Sequence, residues 1–266
     1  MNLGAATLVD LSVDLGPSPS EAVPVELESM SHDFGGRHLA ELVGTTQDQL
    51  PDGLGWASER VHAITHSSTH VDAPFHYSPR CGGRPSRTID ELPLEWFWGP
   101  GVCIPVDGAA TDRRVGVDEL AAFERREGLR VDAGHLVLFR TGAESWHGDA
   151  AYNDQGRGLE PSLIRELVGR GVRVLGTDAW SIDPPFGVMS DQLASFGPRS
   201  VWSAHYVGRD HEFCAIERLC NLDRLPASGF WLSCFPIKVR RGSGGWVRAV
   251  AYLDAAPEAA VERRVS

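Results

Sequence analysis

The sequence lacks the features of a membrane or secreted protein. Its 266 residues contain no apolar run of the ~20 residues that a membrane-spanning helix needs. The first ten residues have neither the basic start nor the long apolar core of a signal peptide. We therefore expect a soluble, cytoplasmic protein with no membrane partner.

Cysteine is scarce, and its pattern is not that of a structural framework. The chain has five cysteines, an odd number, and none are paired at CxxC spacing. Disulfide-rich domains and cysteine zinc sites use paired spacings, so the sequence predicts reduced thiols without a catalytic role. They are Cys81, Cys103, Cys214, Cys220 and Cys234.

Basic residues are also few. The formal net charge is −11, and Lys238 is the only lysine. No cluster of Lys or Arg offsets this charge, whereas binding to nucleic acid depends on a basic surface. The composition thus disfavours a nucleic-acid partner.

What the sequence does contain is a dense group of possible metal ligands. The eleven residues from His66 to His76 hold three histidines and one carboxylate, at His66, His70, Asp72 and His76. Imidazole together with carboxylate suits Zn²⁺ or Mn²⁺ better than Ca²⁺ or Mg²⁺. The segment therefore predicts a metal site.

Neither a straight strand nor a helix would bring these side chains to one ion. In a strand His66 and His70 would be roughly 13 Å apart, and Pro74 disfavours a helix through the residue before it. We predict instead a strand over residues 60–66 that turns at Ser67 and Ser68. The returning chain would place His70 and Asp72 beside His66.

This segment resembles the signature of the metal-dependent hydrolases of the cyclase family, which includes bacterial kynurenine formamidases and isatin hydrolases. The family signature reads His-x-Gly-Thr-His-x-Asp-x-Pro-x-His. Ser68 stands where the family usually has glycine, and it would be strained if the turn needs a positive φ. The matching positions are His66, Thr69, His70, Asp72, Pro74 and His76.

A second block strengthens the resemblance. His205 is followed twelve residues later by Glu217, which opens a Glu-x-Leu-x-Asn-Leu run like that of the family. Other similar segments extend the resemblance to roughly residues 7–254. The long, Trp-rich chain looks more like the isatin hydrolases than the shorter formamidases. The resemblance implies a homodimer or homotetramer.

The resemblance also implies roles for these residues. His66, His70 and Asp72 would bind a first ion, and Asp72 could bridge to a second ion held by His205 and Glu217. One or two Zn²⁺ or Mn²⁺ ions would lower the pKa of bound water and polarise a substrate carbonyl.

His76 resembles the proton-transfer residue of the family, with orientation of Asp72 as its alternative role. Asp178 and Asp183 are either hydrogen-bond partners of the site or ordinary turn residues. Several aromatic residues could line a pocket for a planar substrate, although core packing is the competing role for each. They are Phe34, Trp56, Tyr77, Trp96, Trp98, Trp180 and Phe186.

The organisation of the chain predicts an α/β fold in a single domain over residues 1–266. Helices at 118–126 and from Pro161 each precede a strand, at 135–140 and 172–176. The runs 229–239 and 246–254 look like a β-hairpin across a glycine-rich turn. Residues 16–55 look like an irregular arm with at most one short helix, and residues 256–266 like a frayed tail. The family implies a swivelling β/β/α-type fold with a mixed, barrel-like sheet flanked by helices.

Three functions fit these observations. The leading hypothesis is a metal-dependent hydrolase that opens a cyclic amide or cleaves an aryl formamide, such as an isatin-like or formylkynurenine-like substrate. The first alternative is a cyclase or dehydratase of aromatic polyketide or other natural-product assembly. The second is a non-catalytic protein that binds a metal or a small molecule.

Overall fold

A computed structural model describes residues 7–253 except residues 107 and 109. The predicted tail at residues 256–266 lies outside the described residues. The α-helices of the described chain are α1 (His32–Val43), α2 (Pro74–Tyr77), α3 (Val117–Glu127), α4 (Pro161–Gly169) and α5 (Phe186–Phe196). Its strands are β1 (Thr7–Asp10), β2 (Glu26–Met30), β3 (Ser58–His62), β4 (His70–Asp72), β5 (Arg80–Cys81), β6 (Arg84–Pro85), β7 (Trp98–Pro105), β8 (Leu136–Arg140), β9 (Val174–Thr177), β10 (Cys214–Glu217), β11 (Phe230–Ser233), β12 (Gly244–Trp246) and β13 (Val250–Leu253).

A curled, mixed sheet of nine strands forms the centre of the fold, in the order β1-β13-β11-β7-β8-β9-β10-β4-β12. Strands β7, β8, β9 and β10 run parallel, and the strands on either side pair antiparallel. The predicted α/β class with a mixed, barrel-like sheet is therefore confirmed. No helix among the described residues is long and apolar enough to cross a membrane.

Both faces of the central strands are buried. Along β8, Leu136 and Leu138 pack into one apolar cluster, whereas Val137 and Phe139 pack into another on the opposite face. Successive side chains of a strand point to opposite faces, so a continuous apolar run is typical of a strand covered on both sides. Helices α3 and α4 supply buried side chains to the second cluster.

The two predicted helix-then-strand units are present. Helix α3 ends at Gly128, which has a left-handed φ of 65°, and α4 begins at Pro161. Pro suits the first helical position because it has no N–H to leave unpaired. Strands β8 and β9, which follow these helices, pair in parallel.

The predicted C-terminal hairpin is only partly right. Strands β11 and β13 pair antiparallel, with Phe230 opposite Leu253. The glycine run between them is not a tight turn, however, since Gly244 and Gly245 belong to β12, which pairs with β4. The absence of a side chain at Gly244 lets this strand lie against His66, whose Cε1 would be 2.6 Å from an added Cβ.

The arm at residues 16–55 is more regular than predicted. It contains β2 and the twelve-residue helix α1, which Ser31 caps by accepting the N–H of Phe34. Strand β2 pairs with β3 in a separate two-stranded sheet. Strand β3 ends at His62, so the predicted strand over residues 60–66 is also shorter than expected, and His66 lies in the turn that follows.

Candidate metal centre

Two neighbouring strands bring the first three ligand candidates together. His70 and Asp72 are two residues apart on β4 and therefore point to the same face. Antiparallel pairing places Glu217 of β10 directly opposite His70. The His70 Nε2 atom lies 3.3 Å from Asp72 Oδ1 and 3.7 Å from Glu217 Oε2.

His205 completes the cluster from the 3₁₀ turn at residues 205–209. Its Nε2 atom lies 3.6 Å from Asp72 Oδ2 and 3.5 Å from Glu217 Oε1. Four ligand atoms placed tetrahedrally at ~2.1 Å from one zinc ion would be ~3.4 Å apart. The observed separations, which involve both oxygens of Asp72 and both oxygens of Glu217, are close to that value.

The cluster also has the polarity of a cation site. The side chain of Asp72 is fully buried, and its Oδ2 atom accepts no hydrogen bond from the described residues. A buried carboxylate oxygen without a partner is costly, and a metal ion at the centre of the cluster would satisfy it. His70, Asp72 and Glu217 thus fit a divalent ion, and His205 lies beside two of them.

Hydrogen bonds on the far side of two imidazoles aim their Nε2 atoms at the cluster. His70 donates from Nδ1 to the carbonyl oxygen of Ser68 at 2.9 Å. His205 donates from Nδ1 to Asp183 Oδ2 at 2.8 Å. Asp183 also accepts from Arg114, with an Nη1–Oδ1 distance of 3.1 Å. Such partners fix the tautomer of a ligating histidine.

His66 and His76 lie on the other side of Asp72. His66 donates from Nδ1 to Asp72 Oδ1 at 2.8 Å, and its Nε2 hydrogen-bonds with Ser243 Oγ at 2.9 Å. The rings of His66 and His76 are 4.1 Å apart between centroids. His66, Asp72 and His76 form a second group that could hold an ion, beside the group of His70, Asp72 and Glu217. Asp72 belongs to both.

The pKa values of His76 and His205 shift in opposite directions. Burial, together with the nearby rings of His66 and His205, lowers the pKa of His76 to about 4 despite the charge of Asp72. Burial also disfavours protonated His205, but the hydrogen bond to Asp183 and the nearby carboxylates of Asp72 and Glu217 outweigh it and raise the pKa of His205 to about 10. Three carboxylates, those of Asp72, Asp183 and Glu217, therefore surround His205, whereas burial dominates at His76.

An aromatic pocket of about 340 Å³ opens above the cluster. Its wall includes Trp180, Phe186 and Trp202, and its floor includes His70, His205 and Glu217. The ring of Trp202 stacks on that of His205, with centroids 4.5 Å apart and planes 15° apart.

Sequence reasoning missed Trp202. This residue adopts a φ of 53°, in the left-handed region that bulky side chains rarely enter. Its position three residues before His205 was the available signal, since the same loop carries both.

Most of the aromatic residues predicted for the pocket lie elsewhere. Trp180 and Phe186 line it, but Tyr77 stacks on Phe213 in the core at a centroid distance of 4.8 Å. Phe34, Trp56 and Trp96 do not line this pocket either, and each contacts residues outside it. Phe34 lies beside Arg37, Trp56 meets His38, Trp96 packs under Arg87 and Arg173, and Trp98 packs on Trp231 and Tyr252.

The two aspartates left open by the sequence have different roles. Asp183 accepts a hydrogen bond from Nδ1 of His205, which belongs to the metal cluster. Asp178 instead accepts hydrogen bonds from the backbone N–H groups of Thr141 and Gly142, at 2.7 and 2.8 Å, and so holds a neighbouring loop. The five cysteines are free, as predicted.

The mixed α/β sheet thus carries a buried cluster of His, Asp and Glu that could hold a metal ion, beside an aromatic pocket. Residues 9–184 match a family model described as "Putative cyclase". The chain belongs to this cyclase family, and the predicted family and enzymatic nature are confirmed by its relatives.

Two curated relatives and one solved structure illustrate the match. An isatin hydrolase from Roseibium aggregatum is 30% identical over 272 aligned positions, covering 95% of this chain and 94% of that protein. A kynurenine formamidase from Salinibacter ruber is 31% identical over 189 residues, covering 70% of this chain and 75% of that protein. The crystal structure of an isatin hydrolase bound to the product analogue thioisatinate has a TM-score of 0.75 and 26% identity, covering 95% of this chain and 94% of that chain.

Proposed function

We propose that this protein is a metal-dependent hydrolase that opens a cyclic amide or cleaves an aryl formamide. The observation that carries the proposal is the buried carboxylate of Asp72, with an unpartnered oxygen, beside residues that line an aromatic pocket, namely His70, His205 and Glu217. The named relatives support the substrate class, since they include an isatin hydrolase and a kynurenine formamidase. The longer match to the isatin hydrolase favours a cyclic amide.

We infer that Zn²⁺ or Mn²⁺ is the ion, because both accept mixed imidazole and carboxylate ligands. His70, Asp72, His205 and Glu217 would hold one ion, and His66 with Asp72 would support a second. When bound, such an ion supplies an electrophile for the substrate carbonyl and a water that is acidic enough to attack at neutral pH.

His76 is the residue proposed to move the proton. Its pKa of about 4 leaves the ring neutral at pH 7, so a ring nitrogen is free to accept a proton. Its ring nitrogens make no hydrogen bond with the described residues that would block this exchange. Protonated His76 would then donate to the leaving nitrogen of the amide.

The aromatic wall positions the substrate. Trp180 and Phe186 meet edge to face, with centroids 5.0 Å apart, and Trp202 stacks on His205. Flat aromatic surfaces favour a planar ring by stacking and exclude water around the scissile bond. This wall supports an aryl substrate over an aliphatic one.

The test is hydrolysis of isatin and N-formylkynurenine by protein loaded with Zn²⁺ or Mn²⁺, followed by mass spectrometry for the net addition of water. We expect activity in the wild type and a loss of at least about 100-fold in His76→Ala. His62→Ala is the matched control, because His62 is exposed on β3. Conversion of a poly-ketone without water addition, and no hydrolysis, would favour the cyclase alternative instead.

Metal content separates the remaining possibilities. His70→Ala and Glu217→Ala should reduce the number of ions per chain measured by mass spectrometry. About two ions that fall to one in Glu217→Ala indicate a dinuclear site, and about one ion that is lost in Glu217→Ala indicates a mononuclear site. One ion insensitive to that change would contradict Glu217 as a ligand. A wild type that binds neither ion contradicts the proposal.

A further inference from the structure

Glu21, in the N-terminal arm, reaches into the protein and bridges two distant loops. Its side chain is only 6% exposed. The Oε1 atom accepts the backbone N–H of Ser68 at 2.8 Å, and the Oε2 atom accepts from Arg218 Nη1 at 2.5 Å. Each carboxylate oxygen therefore holds a different loop.

Both loops carry residues of the metal cluster. Ser68 lies two residues before His70, and its carbonyl oxygen accepts the Nδ1–H of that histidine. Arg218 directly follows Glu217. The loops also meet through Thr69, whose Oγ1 donates to the carbonyl oxygen of Arg218 at 2.7 Å. A shift at either contact of Glu21 would thus move a ligand.

The two residues that Glu21 holds are in an unfavourable backbone conformation. Ser68 has a φ of 52° and Arg218 a φ of 60°, both in the left-handed region. Residues other than glycine persist there only when surrounding contacts hold them. Glu21 supplies such a contact to each. Because its side chain is buried, we expect this contact to stabilise the two loops more than an exposed ion pair would.

Ser68 makes this contact especially relevant, because it stands where the cyclase-family signature usually has glycine. Its hydroxyl lies 3.0 Å from the carbonyl oxygen of Asp14 and 3.3 Å from Glu21 Oε1. Both partners belong to the same N-terminal segment. The serine side chain thus makes contacts with this N-terminal segment that a glycine would lack.

We propose that Glu21 is a positioning residue that holds the loops of His70 and Glu217 at the separation which a metal ion requires. The inference rests on the proposed metal site. Through Glu21, the position of the N-terminal arm would influence the affinity of the site for the ion. The link extends to the pocket wall, because the guanidinium of Arg218 lies 4.9 Å from the ring centroid of Trp180.

The test is the affinity for Zn²⁺ and for Mn²⁺, each measured by competition with a chelator, in the wild type and in Glu21→Gln. Gln keeps the shape of the side chain but turns an NH₂ group toward one of its two donors. We expect the affinity to fall about tenfold, the lower end of the effect of disturbing a hydrogen-bond partner of a ligand, because Glu21 holds Ser68, whose carbonyl oxygen is the partner of His70. Glu26→Gln is the matched control, since Glu26 lies in the same arm and is exposed.

A second variant covers the case in which Glu21→Gln does not fold. Glu21→Asp keeps the charge beside Arg218 but is one methylene shorter, so it cannot span both loops. We expect it to lose metal affinity to a similar extent. Thermal unfolding of the metal-free proteins serves as the structural readout.

The outcomes separate this inference from the proposed function. Metal affinity equal to that of the wild type in a folded Glu21 variant, with only a lower unfolding temperature of the metal-free form, would overturn the positioning role. If the wild type binds neither ion, the proposed function fails first. If the wild type binds and Asp72→Asn does not, while the Glu21 variants bind normally, only the present inference fails.

Discussion

Asp183 and Asp178 carry the same side chain and are both buried, yet they hold different parts of the molecule. Asp183 accepts the Nδ1–H of His205. In Asp183→Asn the imidazole would lose the carboxylate that orients it and increases its basicity. We expect the Zn²⁺ affinity to fall about 10–100-fold, as for other partners of ligating histidines. Chelator competition on the purified protein measures this change.

Asp178→Asn is the matched control for that prediction. Asp178 accepts from Thr141 and Gly142 and has no contact with the cluster among the described residues. We expect it to lower the free energy of unfolding by about 1–3 kcal/mol, measured in urea, with the Zn²⁺ affinity unchanged. An equal loss of affinity in both variants would show that the Asp183 contact has no special role.

Individual residues differ in how far the sequence reveals them. His70, Asp72 and Glu217 could be predicted because their spacing matches a known pattern, and strand pairing then brings them together. The sequence also indicated that Ser68 would be strained in a turn with positive φ, and its φ is 52°. The contact that holds it could not be predicted, since Glu21 lies 47 residues away along the chain.

At the level of elements, β12 is the strand that shapes the site most directly. Gly244 stands opposite Asp72 on β4, and a Cβ at Gly244 would lie 2.6 Å from His66 Cε1. In Gly244→Ala the His66 ring or the strand must therefore shift, since the added Cβ would also lie 2.8 Å from the carbonyl oxygen of Val71. Because small displacements at a site are costly for catalysis, we expect hydrolytic activity to fall at least about tenfold.

Gly245→Ala provides a control in the same strand. An added Cβ there would meet the carbonyl oxygen of Ile237 at 2.6 Å, and not His66. Both variants should lower the free energy of unfolding by about 1–3 kcal/mol through overpacking, as measured by urea denaturation. Similar activities in the two variants would argue against a specific effect on His66.

The same strand shows why some elements escape sequence reasoning. Helix α4 and strand β8 follow from local signals, namely Pro161 at a helix start and a continuous apolar run. Strand β12 has the glycine-rich composition of a turn, and it is extended only because it pairs with β4. That pairing joins segments more than 150 residues apart along the chain, which no local pattern reports.

At the scale of the whole molecule, the arm and its neighbouring strand expose several large apolar side chains. Monomeric proteins rarely expose large apolar patches, so we propose that this surface contacts a second copy in a homodimer or homotetramer. The exposed residues of the arm and its neighbouring strand are Leu27, Phe34, Leu42, Val43, Leu54, Trp56 and Val61.

This proposal predicts a change of mass in solution. Leu42 and Val43 are 66% and 61% exposed, so replacing both by Asp should leave the fold intact and weaken the contact between copies. Light scattering after size exclusion should give an oligomer for the wild type and a smaller species for the variant. Leu94→Asp is the control, because Leu94 is 67% exposed but lies outside the arm. A monomeric wild type would refute the proposal.

The proposed ion would connect parts of the chain that are far apart in sequence, since β4, β10 and the turn at 205–209 each provide ligands. At a free Zn²⁺ concentration 1,000 times the Kd, a ligand that binds only the folded state stabilises it by ~4 kcal/mol. For a chain of this size, each kcal/mol shifts the unfolding temperature by ~2–4 °C.

Removal of the metal by a chelator should therefore lower the Tm of the wild type by roughly 10 °C, and added Zn²⁺ should restore it. Asp72→Asn should show no dependence on the chelator, because its carboxylate belongs to both groups that could hold an ion. Calorimetry with and without chelator measures both proteins. Equal Tm values for the wild type under the two conditions would show that no ion links these elements, whatever reaction the pocket performs.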